Sequence, residues 1–151
     1  MTDKLNILFL FADQMHAFAM GCMGNSEIHT PNLDRMAEEG VLFRNTYSNA
    51  PVCSPFRATL VTGQYGSQTG TLSNSSYFPD GTCTVAGALN NGGYRTGWVG
   101  KWHLHTGVWP AVDNMPQSPD WIPEGRDRLG FHYWRAYNQH MVFFNGFVSG
   151  D

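Results

Sequence analysis

Apolar and polar residues alternate along the chain in blocks that predict strands and helices in turn. The continuously apolar run NILFLFAD, 6–13, is typical of a strand that is covered on both faces of a parallel sheet. The stretches VLFRNTYSN, 41–49, and YRTGWVGKW, 94–102, predict two further strands, and GFHYWRAYN, 130–138, has a similar strand-like aromatic pattern. The pattern therefore predicts about four strands.

Helices are predicted between these strands. The stretch HTPNLDRMAEEG has Thr30 as N-cap, Pro31 at the first helical position and Gly40 as the residue that ends the helix. A second, short helix covers PFRATLVTG, 55–63, and a third begins at Thr82 and is closed by the two glycines of ALNNGGY. Strands separated by helices predict an α/β fold with a mostly parallel sheet sandwiched by helices.

A long segment between 106 and 128 departs from this pattern. It carries four prolines and several turn-forming residues, and we expect an exposed, poorly ordered surface loop. Loops of this length often have a function.

Composition limits the classes of function. The chain has 151 residues, which is one domain at most, and its net charge of −3 provides no basic face for nucleic acid or anionic lipid. The apolar run LNILFLFA, 5–12, is much shorter than the roughly 20 residues needed to span a bilayer. Because Asp13 and Gln14 follow it in place of a cleavage site for a signal peptide, we expect a cytoplasmic protein without nucleic-acid or membrane partners.

The cysteines are few and irregularly spaced. Cys22, Cys53 and Cys83 are an odd number and form no C-x-x-C pair, which argues against a disulfide framework and against a structural zinc site. At least one thiol is therefore free.

Reactive side chains follow three of the predicted strands. Asp13 and Gln14 follow the first strand, Cys53 the second, and Lys101 with His103 the third. Ligands of open α/β sheets bind outside the carboxyl ends of the strands, so we expect acid, nucleophile and base to share one pocket. Taken singly, the acid could cap a loop, the thiol could be a small buried hydrophobe and the imidazole could be a satisfied core group.

The segment C-S-P-F-R, 53–57, with ATLVTGQY after it, resembles the C-x-P-x-R signature of the formylglycine-dependent sulfatases in the alkaline phosphatase superfamily. The segments NILFLFADQ, TPNLDRMAEEGVLFRNTYS, GYRTGWVGKWHL and LGFHYW resemble other parts of that family in the same order. The resemblance implies an alkaline-phosphatase-like α/β fold. It also implies that 1–151 is the N-terminal part of a sulfatase catalytic domain, without its remainder and its C-terminal subdomain, and inactive alone.

The resemblance implies a reaction and its residues. A formylglycine-generating enzyme would oxidise Cys53, and the aldehyde hydrate would attack the sulfur of a small-molecule sulfate ester. Arg57 would hold the hydrate, Lys101 would contact hydrate and sulfate, and His103 would be the base that drives release. The departure at Phe56, where many members have a small residue, bears on the efficiency of the oxidation.

The resemblance also implies a divalent metal, Ca²⁺ or Mg²⁺, held by Asp13, the amide oxygen of Gln14 and the modified Cys53. Most members have a second Asp in place of Gln14, and the Asp-Gln pair resembles a subset with choline-sulfatase-like enzymes and phosphonate monoester hydrolases. His140 is a weak candidate for contact with the substrate. We assign His105 to a loop and give it no role.

Other functions remain open. The same scaffold could hydrolyse phosphonate or phosphate esters, because these share the tetrahedral geometry of sulfate esters. The chain could also be a noncatalytic truncated fragment with an unmodified Cys53. A cysteine hydrolase that pairs Cys53 with His103 is less favoured, since the sequence marks no oxyanion hole.

Overall fold

The computed structural model describes residues 4–76, 78–105, 122–139 and 148–150. The chain divides into two compact units, Met1–Tyr47 and Ser48–Asp151. We call them the N-terminal unit and the C-terminal unit. Among the described residues, none of the helices has both the length and the apolar character needed to cross a membrane.

The N-terminal unit contains helix α1, Pro31–Glu39, preceded by two 3₁₀ turns, Ala17–Ala19 and Gly21–Met23. Its bounds confirm the prediction, since the helix starts at the proline after Thr30 and ends before Gly40. The Thr30 hydroxyl donates to Asp34 Oδ1 at 3.0 Å, and the same carboxylate oxygen accepts from the Cys22 backbone amide at 2.7 Å. These bonds tie the second 3₁₀ turn to the start of α1.

The strands predicted at 6–13 and 41–49 are wrong for the described residues. Both stretches lack a strand, and Leu8 and Val41 are 88% and 79% exposed. A strand needs a neighbour that hydrogen-bonds its backbone, whereas the described part of the N-terminal unit forms only helices, turns and irregular backbone. The run at 6–13 has the apolar composition of a buried strand, but its backbone does not pair with a neighbouring strand among the described residues.

The C-terminal unit has three helices: α2 at Cys53–Thr62, α3 at Gly66–Thr69 and α4 at Val85–Asn91. Gly63 ends α2 in the left-handed conformation, as the sequence predicts. The predicted start of α4 is wrong by two residues. Thr84, and not Thr82, is the N-cap, because its hydroxyl accepts a hydrogen bond from the Gly87 amide at 3.1 Å.

A small sheet forms the centre of the C-terminal unit. Strand β1, Gly97–Lys101, pairs in parallel with β2, Tyr133–Tyr137, and β3, Ser149–Gly150, pairs antiparallel with β2. The strands predicted at 94–102 and 130–138, and their parallel pairing, are confirmed. The ladder continues one residue past β1, since the Trp102 amide donates to the Tyr137 carbonyl at 2.7 Å.

The core of this unit lies between α2 and the sheet. Trp102 and Trp134 are fully buried, with ring centroids 5.0 Å apart in an edge-to-face arrangement. Ala58 and Val61 of α2 belong to the same buried cluster. The core thus packs directly behind the residues at the end of β1.

The described end of the proline-bearing segment differs from the expected exposed loop. Residues 106–121 lie outside the described part of the chain, but Ile122 is fully buried and Arg126–Arg128 form a 3₁₀ turn. The Arg128 guanidinium lies 5.4 Å from the ring centroid of Trp134. Cation–π packing and burial hold this end of the segment against the core.

Candidate functional site

The end of β1 lies against the start of α2. Lys101 is the last residue of β1, and its Nζ donates a hydrogen bond of 3.3 Å to Sγ of Cys53, the first residue of α2. A helix N-terminus carries partial positive charge from its unpaired amides, so Cys53 lies near two sources of positive potential. This environment favours negative charge developing at position 53.

Arg57 lies one helical turn after Cys53 and fixes the backbone of Lys101. It is 3% exposed, and its Nη1 donates to the Lys101 carbonyl at 2.5 Å. Residues four apart on a helix share a face, so the thiol and the guanidinium lie on the same side of α2. Both therefore contact the same residue of β1, one through its side chain and one through its backbone.

His103 is positioned through its backbone by Ser54. The buried Ser54 hydroxyl donates to the His103 carbonyl at 2.7 Å, and the Ser54 amide donates to Asn74 Oδ1 at 2.9 Å. His103 is itself buried and has a φ of 54°, a left-handed conformation that costs a non-glycine residue on the order of 1 kcal/mol. His103 follows directly after the last ladder bond, which the Trp102 amide makes.

Four predicted catalytic residues thus belong to two adjoining segments of one unit. Cys53 and Arg57 contact Lys101, and the residue next to Cys53 contacts His103. Ser54 is a functional candidate that the strand-end pattern misses, although its place inside C-S-P-F-R is a signal that could have found it. His140 lies outside the described residues.

Asp13 and Gln14 belong to the N-terminal unit, where both are exposed in a turn. Gln14 has a φ of 56°, one of three positive values among the described non-glycine residues. Their meeting with Cys53 stays a prediction. Within the described residues, no three His, Cys, Asp or Glu side chains are grouped to hold a metal. The adjacent carboxylate and amide oxygens are nevertheless donors that Ca²⁺ and Mg²⁺ prefer, so they fit part of a hard-metal shell.

Comparison with known families decides the classification. The family model described as Sulfatase matches residues 5–145 of this chain. The chain belongs to the sulfatase family. An ulvan-active sulfatase from Formosa agariphila is 39% identical over 133 residues, which are 88% of this chain and 24% of that relative. The chain therefore spans about a quarter of the length of this sulfatase.

Solved structures show the same fold. A chain from work on the metabolism of glycosaminoglycans by Bacteroides thetaiotaomicron aligns with a TM-score of 0.76 and 25% identity, over 91% of this chain and 33% of that one. The phosphonate monoester hydrolase of Agrobacterium radiobacter aligns with a TM-score of 0.60 and 27% identity, over 86% of this chain and 25% of that one. The sulfatase chain thus has the α/β fold of the alkaline phosphatase superfamily predicted from its sequence.

Proposed function

We propose that the whole protein hydrolyses sulfate esters with a formylglycine nucleophile made from Cys53. Membership of the sulfatase family supports the reaction class. The observation that carries the proposal is the contact of 3.3 Å between Lys101 Nζ and Cys53 Sγ at the start of α2. A sulfate group bound at position 53 would meet the ammonium and the helix N-terminus together, and both stabilise its negative oxygens.

Each residue of the site has a separate task in this proposal. The aldehyde hydrate at position 53 would supply a nucleophilic hydroxyl and a second hydroxyl through which sulfate can leave. Lys101 would orient the sulfate oxygens, and Arg57 would hold Lys101 in place through its carbonyl. The His103 imidazole would accept the proton of the second hydroxyl, since the bond from Ser54 fixes the backbone that carries it.

A divalent metal would add positive charge at the sulfate. Asp13 and Gln14 would hold it through their carboxylate and amide oxygens, which suit Ca²⁺ or Mg²⁺. When bound, such a cation lowers the pKa of a coordinated hydroxyl and neutralises ester oxygens. The assignment rests on the donor chemistry of two adjacent residues.

Hydrolysis of phosphonate or phosphate esters is the second candidate. It is favoured by the structural likeness to the phosphonate monoester hydrolase of Agrobacterium radiobacter and by the Asp13–Gln14 pair. One carboxylate in place of two leaves the site less negative by one unit. A more positive site suits the doubly charged phosphate monoesters as well as the singly charged sulfate esters.

The test uses the whole protein coexpressed with a formylglycine-generating enzyme. Conversion of Cys53 lowers the intact mass by about 18 Da, because CHO replaces CH₂SH. We expect this shift together with sulfate ester hydrolysis, and both should disappear in Cys53→Ala. Cys83→Ala is the matched control, since Cys83 is an exposed free thiol elsewhere in the same unit.

Three outcomes separate the candidates. Full activity in Cys53→Ala would refute the formylglycine mechanism. Activity on 4-nitrophenyl phenylphosphonate at a kcat/KM well above that on 4-nitrophenyl sulfate would favour the phosphonate hydrolase. Absence of the mass shift and of both activities would indicate a noncatalytic protein.

A further inference from the structure

A cavity of about 500 Å³ lies at the end of β1 in the C-terminal unit. This volume is in the range of small-molecule sites. Three segments line it: the loop that leads into α4, the residues that leave β1, and the 3₁₀ turn before β2. The lining residues are Phe78, Pro79, Asp80, Gly81, Thr82, Thr84, Leu104, His105, Arg126, Asp127, Leu129 and Gly130.

The cavity extends from the residues that follow β1 to the residues that precede β2. The last part of α4 touches the start of β1, since the Thr96 hydroxyl donates to Asn90 Oδ1 at 2.9 Å. The start of α4 therefore lies near the opposite end of β1, where Leu104 joins Thr84 in the cavity lining. Because Leu104 directly follows His103, the cavity begins next to the candidate active site along the chain.

Polar side chains of alternating charge form one wall. Arg126 Nη1 donates to Asp80 Oδ2 at 2.6 Å, and Arg126 Nε lies 3.7 Å from Asp127 Oδ1. The same Asp127 oxygen lies 3.4 Å from His105 Nδ1. In the neutral imidazole a proton on Nδ1 faces the carboxylate and leaves Nε2 as an acceptor. Donors and acceptors thus alternate along the wall.

The backbone that carries these groups is fixed. The buried Asn138 side chain accepts from the His105 amide at 3.3 Å and donates to the His105 carbonyl at 2.7 Å. On the other side, the Thr84 hydroxyl donates to the Leu129 carbonyl at 2.8 Å. Preorganised walls of this kind favour a ligand of defined shape, because little conformational entropy is lost on binding.

The lining also determines the chemistry of the ligand. A quaternary ammonium group binds best against several aromatic faces, and Phe78 is the one aromatic residue of the described lining. A flat aryl group favours apolar walls, whereas this wall carries two carboxylates, a guanidinium and an imidazole. A ring with several hydroxyl groups suits it better, since each hydroxyl donates one hydrogen bond and accepts others.

We propose that this cavity binds the alcohol portion of the sulfate ester as a hydroxylated saccharide ring, with Asp127 and His105 as specificity-determining residues. The inference rests on the proposed sulfatase function, because the cavity adjoins the segment that carries His103. The sulfate would lie at Cys53 and Lys101, and the sugar ring would extend along the residues that follow β1. Asp127 and His105 would then distinguish sugars by the positions of their hydroxyl groups, while the ester bond is cleaved at Cys53.

The test compares two kinds of substrate in the whole, formylglycine-containing protein. We expect Asp127→Asn and His105→Gln to lower kcat/KM on the preferred member of a panel of sulfated methyl hexosides at least tenfold, because these partly buried side chains would no longer pair with the hydroxyls of the substrate. On 4-nitrophenyl sulfate, which has no sugar, the change should stay within about twofold. Glu124→Gln makes the same chemical change as Asp127→Asn at an exposed residue outside the cavity lining and should alter neither value.

Equal losses on both substrates, or unchanged kcat/KM on the sulfated hexosides, would overturn the proposal. If the parent hydrolyses no sulfate ester, the proposed function is wrong. A binding experiment then tests the saccharide site independently of that function. Saturation-transfer NMR with methyl β-D-galactoside and methyl β-D-glucoside should then show contact that Asp127→Asn weakens and Glu124→Gln retains. Absence of contact with both glycosides would overturn the saccharide site.

Discussion

The Ser54 hydroxyl donates a hydrogen bond of 2.7 Å to the carbonyl of His103, a residue 49 positions later in the chain. Ser54 lies between the candidate nucleophile and the proline of the C-x-P-x-R signature. The bond joins the first turn of α2 to the turn after β1. It thereby links the residue that would be modified to the residue that would act as base.

Ser54→Ala should destabilise the protein and lower its activity. The His103 carbonyl is buried and would lose its donor, which costs about 1–3 kcal/mol in the free energy of unfolding. Urea unfolding measures this loss of stability. The kcat should also fall, because the backbone of His103 would no longer be held by Ser54. Ser67→Ala, at an exposed position of α3, should change neither quantity. Equal stabilities of the two variants would contradict the role of the bond.

Lys101→Met should separate catalysis from stability. The substitution keeps the apolar stem and removes the ammonium, while the carbonyl that accepts from Arg57 is unchanged. We expect the free energy of unfolding to change by less than about 1 kcal/mol. Turnover of a sulfate ester should fall by at least about 100-fold, since a donor to the developing charge is lost. Arg95→Met, at an exposed residue, controls for the loss of a positive charge. A kcat within threefold of the parent would exclude Lys101 from the reaction.

Asp13→Asn should weaken the binding of a divalent cation. The metal-dependent rise in Tm of the whole protein on addition of Ca²⁺ or Mg²⁺ should shrink, because a neutral amide replaces a charged ligand. Glu27→Gln removes an exposed carboxylate from the same unit and should leave the rise intact. An undiminished rise in Asp13→Asn would place the cation elsewhere.

Two glycines of the C-terminal unit should respond to alanine with opposite signs. Gly63 ends α2 with a φ of 69°, so Gly63→Ala should lower the free energy of unfolding by about 1 kcal/mol. Gly87 lies inside α4, and a Cβ there would meet the Thr84 hydroxyl at an ordinary 3.5 Å. Gly87→Ala should therefore stabilise by about 0.5–1 kcal/mol. Chemical denaturation of both variants checks the signs, and stabilisation by Gly63→Ala would contradict the cap.

The sequence predicted those elements whose signals are local. Pro31 and Gly40 mark the ends of α1 because the first fixes a helical φ and the second permits the exit of the chain. The start of α4 is predicted at Thr82 but lies at Thr84, because it is the Thr84 hydroxyl that accepts a hydrogen bond from the Gly87 amide. Local composition therefore predicts three of the described helices, but not the short α3 and not the exact start of α4.

Sequence reasoning predicts only some of the long-range contacts. The run at 6–13 has the composition of a strand, but a strand requires a pairing neighbour that composition does not specify. The cluster of Cys53, Arg57 and Lys101 was expected from strand ends and the family signature, whereas the supporting bond from Ser54 depends on how α2 packs against β1. The proposed role of His105 depends likewise on Asp127, which is 22 residues away in sequence and close in space.

Trp102 separates Lys101 from His103, and its indole is fully buried among Trp98, Trp134 and Phe131. Because Trp102 is fixed in the core, the backbone positions of Lys101 and His103 are fixed together. Under the proposed function, changes that adapt the protein to a new alcohol would come from segments outside this buried cluster, such as the loop before α4 and the turn before β2. The C-terminal unit thus combines a tightly packed region that resists substitution with surface segments that tolerate it.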